Sequence, residues 1–144
     1  MATTTGTFNW YHHVSERSGD GGIDWDTMGF ECLLTTVTHV PADADTAIAD
    51  IDNEVTGGGY ARQALTSVTW VRAAGVTTFD FANPVFTATT GSIVARNYHI
   101  RCTTADLLIC YGLLDQTPAD VTTTAGNTLT LQVNASGLFT SDSS

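Results

Sequence analysis

Residues 92–114 read SIVARNYHIRCTTADLLICYGLL, and this stretch decides the fold that the sequence predicts. Its first part alternates, with Tyr98 and Ile100 on one parity and Asn97 and His99 on the other. Successive side chains of a strand point to opposite faces, so the pattern predicts a strand with one dry face and one face toward water.

The second part of the stretch is apolar on both parities. Residues 103–106 have the composition of a turn, and residues 107–114 are apolar except for Tyr111 and Gly112. Such a run is typical of a strand that is covered on both faces, and it is short for a buried helix, the competing interpretation. We therefore predict a long β-hairpin.

The three cysteines fit this hairpin as unpaired thiols. A tight turn pairs Cys102 with Leu107 and leaves Cys110 out of register, while Cys32 lies far away in the sequence. An odd number of cysteines without a CxxC motif gives no disulfide framework. We expect small buried side chains of a protein made in a reducing cytoplasm.

Composition favours one β-rich domain. The chain has 144 residues, of which 42% are hydrophobic and 14% are charged. The charged fraction is well below the usual value of about 25%, and threonine and glycine are abundant. These features are typical of an all-β protein.

The charge balance disfavours two classes of partner. Fifteen acidic residues stand against five basic ones, which gives a formal net charge of −10. Such a surface repels a phosphate backbone and an anionic membrane, so we expect neither nucleic acid nor membrane as a partner. The longest apolar run, residues 107–114, is too short to span a bilayer as a helix.

The chain divides into an N-terminal arm, residues 1–14, and a β-sandwich domain, residues 15–144. The first six residues are small and polar, which predicts a flexible segment. Phe8, Trp10 and Tyr11 follow, and they favour either docking of this arm onto a neighbour or a first edge strand.

Short strands with turn signals between them fill most of the rest of the chain. Residues 15–22 are predicted as a loop and residues 30–37 as a strand, with Val37 in the core. Residues 41–54 give the one candidate helix, because Ile48 and Ile51 share a helical face with Val55. The prediction is a single-domain, all-β sandwich with one short helix, for which a jelly roll is one candidate topology.

Chemical motifs are weak in this sequence. Oxygen ligands in the acidic run 43–54 suit calcium, but the spacing lacks the ligands and glycine of an EF-hand loop, and a solvated helix face is the preferred interpretation. No Cys/His spacing indicates zinc, and no hydrolase, metalloprotease or phosphate-loop motif is present. We expect a protein without catalytic residues, metal or cofactor.

Three segments together resemble a family of small virion structural proteins of tailed bacteriophages. They are residues 22–37 (GIDWDTMGFECLLTTV), residues 50–60 (DIDNEVTGGGY) and residues 85–138, which contain the hairpin. Their order and spacing match the family over roughly four-fifths of the chain. The resemblance implies a non-enzymatic part of the particle, and a capsid decoration or cement protein more than a fibre or tail component.

Three departures from the family pattern are notable. Gln63 and Ala64 replace a glycine pair, Asn97 separates Arg96 from Tyr98, and the two leucines at 113–114 replace an aromatic residue. The opening residues also fit poorly, so the role of the arm carries over least.

The function expected from this resemblance is stabilisation of the outer capsid surface in the virion. The expected partners are the major capsid protein and further copies of the chain, most simply in a homotrimer. The alternatives are a head-fibre base or tail component, and a carbohydrate-binding β-sandwich that displays aromatic side chains. The residues expected at subunit or capsid contacts are Phe8, Trp10, Tyr11, Trp25, Leu107 and Ile109.

Overall fold

The computed structural model describes residues 2–4, 8–134 and 137–142. Strands dominate these residues and are accompanied by one short helix, which confirms the predicted all-β class. The helix α1 covers Val14–Gly19, and a 3₁₀ turn covers Ile48–Asp50. The strands are β1 (Ala2–Thr4), β2 (Asn9–Trp10), β3 (Phe30–Thr35), β4 (Gln63–Ala64), β5 (Thr69–Ala73), β6 (Val76–Asp80), β7 (Val85–Thr87), β8 (Ile93–Ala95), β9 (Asn97–Cys102), β10 (Leu107–Leu113), β11 (Val121–Thr123), β12 (Thr128–Leu131) and β13 (Phe139–Asp142).

The strands form four sheets around one shared hydrophobic core. The largest sheet has five strands in the order β2-β10-β9-β3-β4. Two three-stranded sheets, β1-β12-β7 and β13-β6-β5, and the pair β11-β8 complete the fold. Large side chains with no exposed surface fill the core, among them Phe79, Phe86, Ile100, Ile109 and Leu129.

The predicted hairpin forms the centre of the five-stranded sheet. Strand β10 pairs antiparallel with β9, and Leu107 lies opposite Cys102 as the turn predicts. The register shifts between Leu108 and Cys110, so a bulge allows consecutive side chains of β10 to be buried. The chain's three cysteines are buried and free.

The predicted wet face of the first hairpin arm is covered. Asn97 is 5% exposed and His99 is fully buried, so that prediction is wrong. The alternation also restarts at a bend at Arg96, because Ile93 and Ala95 are buried upstream of it while Val94 is 40% exposed. The polar residues Asn97 and His99 are therefore buried, and their polarity did not indicate contact with water.

The cover over this face comes from the segment that was predicted to be a helix. Residues 42–55 run from β10 to β3, where the amide of Leu108 bonds the carbonyl of Thr46 at 2.8 Å and the amide of Val55 bonds Leu34 at 3.0 Å. The Asp50 carboxylate accepts from the amides of Thr46 and Ala47. Such side-chain bonds to the backbone compete with helix formation, and only the 3₁₀ turn remains.

Strand β3 ends earlier than predicted, which places Val37 outside the core. The amide of Thr36 bonds the carbonyl of Asn53 at 3.0 Å, and the amide of His39 turns back to Thr36 at 3.2 Å. Val37 is consequently 52% exposed in a loop, so its prediction as a core residue is wrong.

The described part of the N-terminal arm belongs to the folded body. Strand β1 pairs in parallel with β12, and β2 pairs with β10 at the edge of the five-stranded sheet. Tyr11 is 1% exposed and Val14 is 4% exposed, so both lie in the core. Of the two interpretations that the sequence left open, the structure has the edge strand, whereas Met1 and residues 5–7 lie outside the described residues.

The helix lies where the sequence predicted a loop. Helix α1 occupies most of residues 15–22, and the chain reverses after it at Gly21, whose φ of 82° is accessible to glycine. The helix is short and buries Val14 alone among its residues, which explains its weak periodic signal.

Replacing Ile109 by alanine tests the central position of the hairpin. Because its side chain has no exposed surface, we expect the free energy of unfolding to fall by about 2–5 kcal/mol. Denaturant unfolding measures this change, and Val40→Ala, at a side chain that is 80% exposed, is the control. Equal stability of the two variants would contradict the placement.

Candidate functional site

Aromatic rings from distant parts of the chain form one cluster beside the five-stranded sheet. Trp25 is at its centre, with ring centroids 5.0 Å from Phe79 and from Phe139 and 5.9 Å from Trp70. Trp10 extends the cluster outward, 4.7 Å from Phe139 in an edge-on arrangement. Rings at these separations attract one another beyond simple burial, so the cluster fixes β2, β5 and β13 relative to the body.

The outer end of the cluster forms an open pocket of about 610 Å³. Trp10, Trp25, Trp70 and Phe139 provide its aromatic walls. The chain contains three tryptophans, and all of them line this pocket. Pockets of this size with aromatic walls are the usual form of a small-molecule site.

Helix α1 supplies polar groups to the same pocket. Ser15 and Ser18 line it, and their spacing of three residues places them on one face of the helix. The indole nitrogen of Trp25 donates a hydrogen bond to the Ser18 hydroxyl at 2.7 Å. This bond ties the helix to the aromatic wall and leaves the Ser18 proton for another acceptor.

The structure brings three of the predicted contact residues together at the pocket. Trp10, Tyr11 and Trp25 line it, and Phe8 packs on Trp10 with ring centroids 4.7 Å apart. Leu107 is partly buried and Ile109 is fully buried in the hairpin, and neither lines the pocket, although the Ile109 carbonyl accepts from the Tyr11 amide at 3.2 Å.

The carbohydrate-binding alternative requires exposed aromatic side chains, and in this structure they do not form a flat exposed surface. Tyr11 and Trp25 are at most 5% exposed, and Tyr60 stacks on Phe86 elsewhere in the core. Trp10, at 38% exposed, is the most accessible ring of the pocket wall. The aromatic residues therefore form a pocket with a partly exposed rim.

Sequence reasoning missed Ser15, Ser18 and Phe139. The serine spacing becomes a signal once residues 14–19 are known to be helical, but the loop prediction hid it. Phe139 reaches the pocket because β13 pairs with β6 and places it opposite Phe79. That pairing joins residues sixty positions apart and has no local motif.

A second polar arrangement lies on the covered face of β9. The Tyr11 hydroxyl and Nδ1 of His99 are 2.8 Å apart, and the Thr35 hydroxyl and Nε2 are 3.0 Å apart. Two hydroxyls satisfy a neutral imidazole, which needs one donor and one acceptor. Burial, with a smaller contribution from His39, lowers the pKa of His99 to about 3, so the ring is uncharged at neutral pH.

His39, from the loop between β3 and the covering segment, completes this buried arrangement. Its ring meets His99 edge-on at 5.1 Å, and its Nδ1 lies 2.5 Å from a carboxylate oxygen of Asp52. This hydrogen bond lowers the pKa of Asp52. The arrangement thus links the segment to the sheet, while Nε2 of His39 is buried without a hydrogen-bond partner among the described residues.

The acidic run does not form a cation site in the described residues. Asp50 and Asp45 accept hydrogen bonds from backbone amides, while Glu54 pairs with Arg62 and Asp43 accepts from Tyr111. Within the described ranges, no group of three or more His, Cys, Asp or Glu side chains is arranged to hold a metal ion.

No family model matches the chain, and no curated protein or solved structure is significantly similar to it. Among the described residues, no helix is long and apolar enough to cross a membrane. The chemistry of the site therefore has to be argued from its own residues.

The buried His99 predicts a specific dependence of stability on pH. Its folded pKa of about 3 lies below its ordinary value of 6.5, so the unfolded chain binds more protons in this window. The contribution of the neutral His99 to the free energy of unfolding is therefore fully present above pH 6.5. As the pH falls below this value, the free energy of unfolding decreases by up to about 1.4 kcal/mol for each pH unit.

Denaturant unfolding between pH 4.5 and 6.5, above the ordinary pKa of glutamate, measures this slope with the least contribution from carboxylates. His99→Gln should flatten the slope because glutamine does not titrate. His12→Gln is the control, since the His12 side chain is 74% exposed. A slope that His99→Gln leaves unchanged would contradict the assignment.

Proposed function

We propose that this chain is a non-enzymatic structural protein of a tailed-phage particle that decorates the outer surface of the capsid. The serial resemblance of three sequence segments to virion structural proteins is the starting point. The observation that carries the proposal is the position of four of the six exposed large apolar side chains of the described residues, which lie on the outermost strands of the sheets, whereas Val37 and Val40 lie in a loop.

Each sheet exposes an apolar side chain on a strand that has only one neighbour. Trp10 lies on β2 and Val71 on β5, and they are 38% and 57% exposed. Val85 on β7 and Val94 on β8 are 41% and 40% exposed. An outer strand offers unpaired backbone groups to another chain, and apolar side chains there favour such pairing.

Strand β5 is the best candidate for the contact. Residues 71–74 are exposed, so the tip of the β5–β6 hairpin extends from the body. Arg72 has no ion-pair partner among the described residues, whereas the chain's other four arginines each pair with a carboxylate. One available cation beside Val71 suits an acidic partner surface, including that of another copy with a net charge of −10.

The net charge supports the outer location. Packaged DNA repels a strongly acidic protein, so the outside of the capsid is the favourable position. The partners we propose are the major capsid protein and further copies of this chain, without nucleic acid or membrane. The chain is made in the host bacterial cytoplasm and acts in the virion.

Self-association into a trimer follows the same logic. A trimer presents identical outer strands to a symmetric lattice position, and several weak contacts then act as one strong contact. Binding to the assembled lattice and not to free capsid subunits stabilises the assembly by mass action.

Light scattering of the purified chain tests self-association. We expect a multiple of the 15.2 kDa chain mass, most simply three copies. Val71→Asp should shift the distribution toward the monomer, because it places a carboxylate on the exposed strand. A monomer for the unaltered chain at micromolar concentration contradicts self-association in solution.

Binding to particles tests the proposed location. Heads and tails of a tailed phage, purified without their own decoration protein, are incubated separately with the chain and sedimented. We expect retention on heads, and about tenfold weaker retention for Val71→Asp. Val40→Asp is the matched control, because Val40 is 80% exposed and lies in a loop.

Each outcome of this assay is informative. Retention on tails and not on heads would replace the decoration role by the tail alternative. Equal retention of both variants on heads would remove β5 from the contact, and failure to bind either particle would overturn the proposed function. Thermal unfolding of each variant confirms that the compared chains are folded.

A further inference from the structure

We propose that the aromatic pocket between β2, α1 and β5 binds a neutral pyranose sugar. The aromatic walls, Trp10, Trp25, Trp70 and Phe139, enclose about 610 Å³, which accommodates one or two hexose units. The proposal does not rest on the capsid role, because the pocket is formed within one chain.

The walls suit the apolar face of a sugar ring. Trp10 is 38% exposed, and Trp70 and Phe139 are partly buried, so these three rings keep accessible surface, whereas Trp25, at 5% exposed, packs against the last two. The faces of aromatic rings carry negative partial charge, and the C–H groups on one face of a pyranose carry positive partial charge. Trp10 on the rim is accessible to a ring that enters from solvent.

The serines of α1 suit the hydroxyl groups at the edge of the same ring. Ser18 accepts from the Trp25 indole at 2.7 Å and keeps its own proton for a ligand oxygen. The Ser15 hydroxyl lines the pocket, is exposed, and has no hydrogen-bond partner among the described residues. A ligand with an apolar face and a hydroxylated edge uses both parts of the pocket.

Charge and hydrogen bonding favour a neutral sugar over two other classes of ligand, anions and quaternary ammonium ions. The residues that line the pocket include no lysine or arginine, and the nearby Arg17 pairs with Asp20. The histidine of the lining, His12, lies 3.6 Å from the Asp43 carboxylate, which would repel a phosphate or a carboxylate. A quaternary ammonium ion suits aromatic walls, but it makes no hydrogen bond to the serine hydroxyls and so uses only one part of the pocket. The neutral sugar is therefore the favoured ligand.

Tryptophan fluorescence gives a direct test, because all three tryptophans of the chain line this pocket. The full chain is titrated to millimolar concentrations with glucose, galactose, mannose and N-acetylglucosamine, each added separately. Choline chloride and sodium phosphate are the comparison ligands. We expect a saturable change in fluorescence with at least one sugar and none with phosphate.

Two variants and one control locate the binding. Trp10→Ala should weaken the affinity by about tenfold through loss of the rim ring, and Ser15→Ala should weaken it through loss of a hydroxyl contact. Ser15 has no hydrogen bond to lose among the described residues, so this variant remains interpretable if Trp10→Ala fails to fold. Val40→Ala, at a residue that does not line the pocket, should bind as the unaltered chain does.

The outcomes separate the proposal from its rivals. Saturable binding of choline without binding of any sugar would overturn it in favour of a cation site. The absence of any saturable response, or sugar binding that neither Trp10→Ala nor Ser15→Ala weakens, would also overturn it. A fluorescence change that follows protein concentration instead of added sugar would assign the pocket to contact between copies.

A further comparison distinguishes the two sources of such a ligand. A free hexose and the terminal residue of a glycan share this chemistry, so the sugar that binds is tested again as the end group of an oligosaccharide. Tighter binding of the oligosaccharide supports a glycan as the ligand, and equal binding supports the free sugar.

Discussion

Burial of an imidazole in the central sheet is the constraint on which much of this structure depends. His99 has no exposed surface, and both of its ring nitrogens need partners there. Tyr11 and Thr35 supply them from strands or segments on either side of β9. One side chain thereby links the N-terminal segment to β3, and the His39 ring packs edge-on against it.

The aromatic cluster performs a corresponding role on the other side of the N-terminal segment. Trp10 and Tyr11 are adjacent in a segment that reaches both arrangements, with Tyr11 bonded to His99 and Trp10 packed on Phe139. The short strand β2 has only two residues and a single strand neighbour. Its place therefore depends on these two side chains more than on its own backbone bonds, and the pocket rim depends on it in turn.

Local sequence pattern predicted the parts of the fold that local chemistry determines. The turn between Cys102 and Leu107 fixes the register of the central hairpin. The turn and the register could both be predicted from residues that are adjacent in the sequence. The bend at Arg96 was not readable, because it depends on the carbonyl of Thr35 and the carboxylate of Asp120. The same applies to residues 41–54, where apolar spacing indicated a helix and carboxylate bonds to the backbone prevailed.

The candidate site was less accessible to prediction than the fold. The sequence singled out aromatic residues near the start of the chain, but their partners come from α1, β5 and β13. Trp70 and Phe139 meet through pairings of β6 with two different strands. No spacing along the chain encodes that meeting, since each pairing is determined by packing of the whole sheet.

The two proposed surfaces share one strand, and this relates them physically. Trp70 and Val71 are consecutive residues of β5, so their side chains point to opposite faces. Trp70 lines the pocket while Val71 is exposed on the other face. A neighbouring chain that contacts Val71 therefore approaches the face of β5 opposite to the pocket. Because the aromatic cluster already holds Trp70 against Trp25 and Phe139, the pocket wall does not depend on that contact.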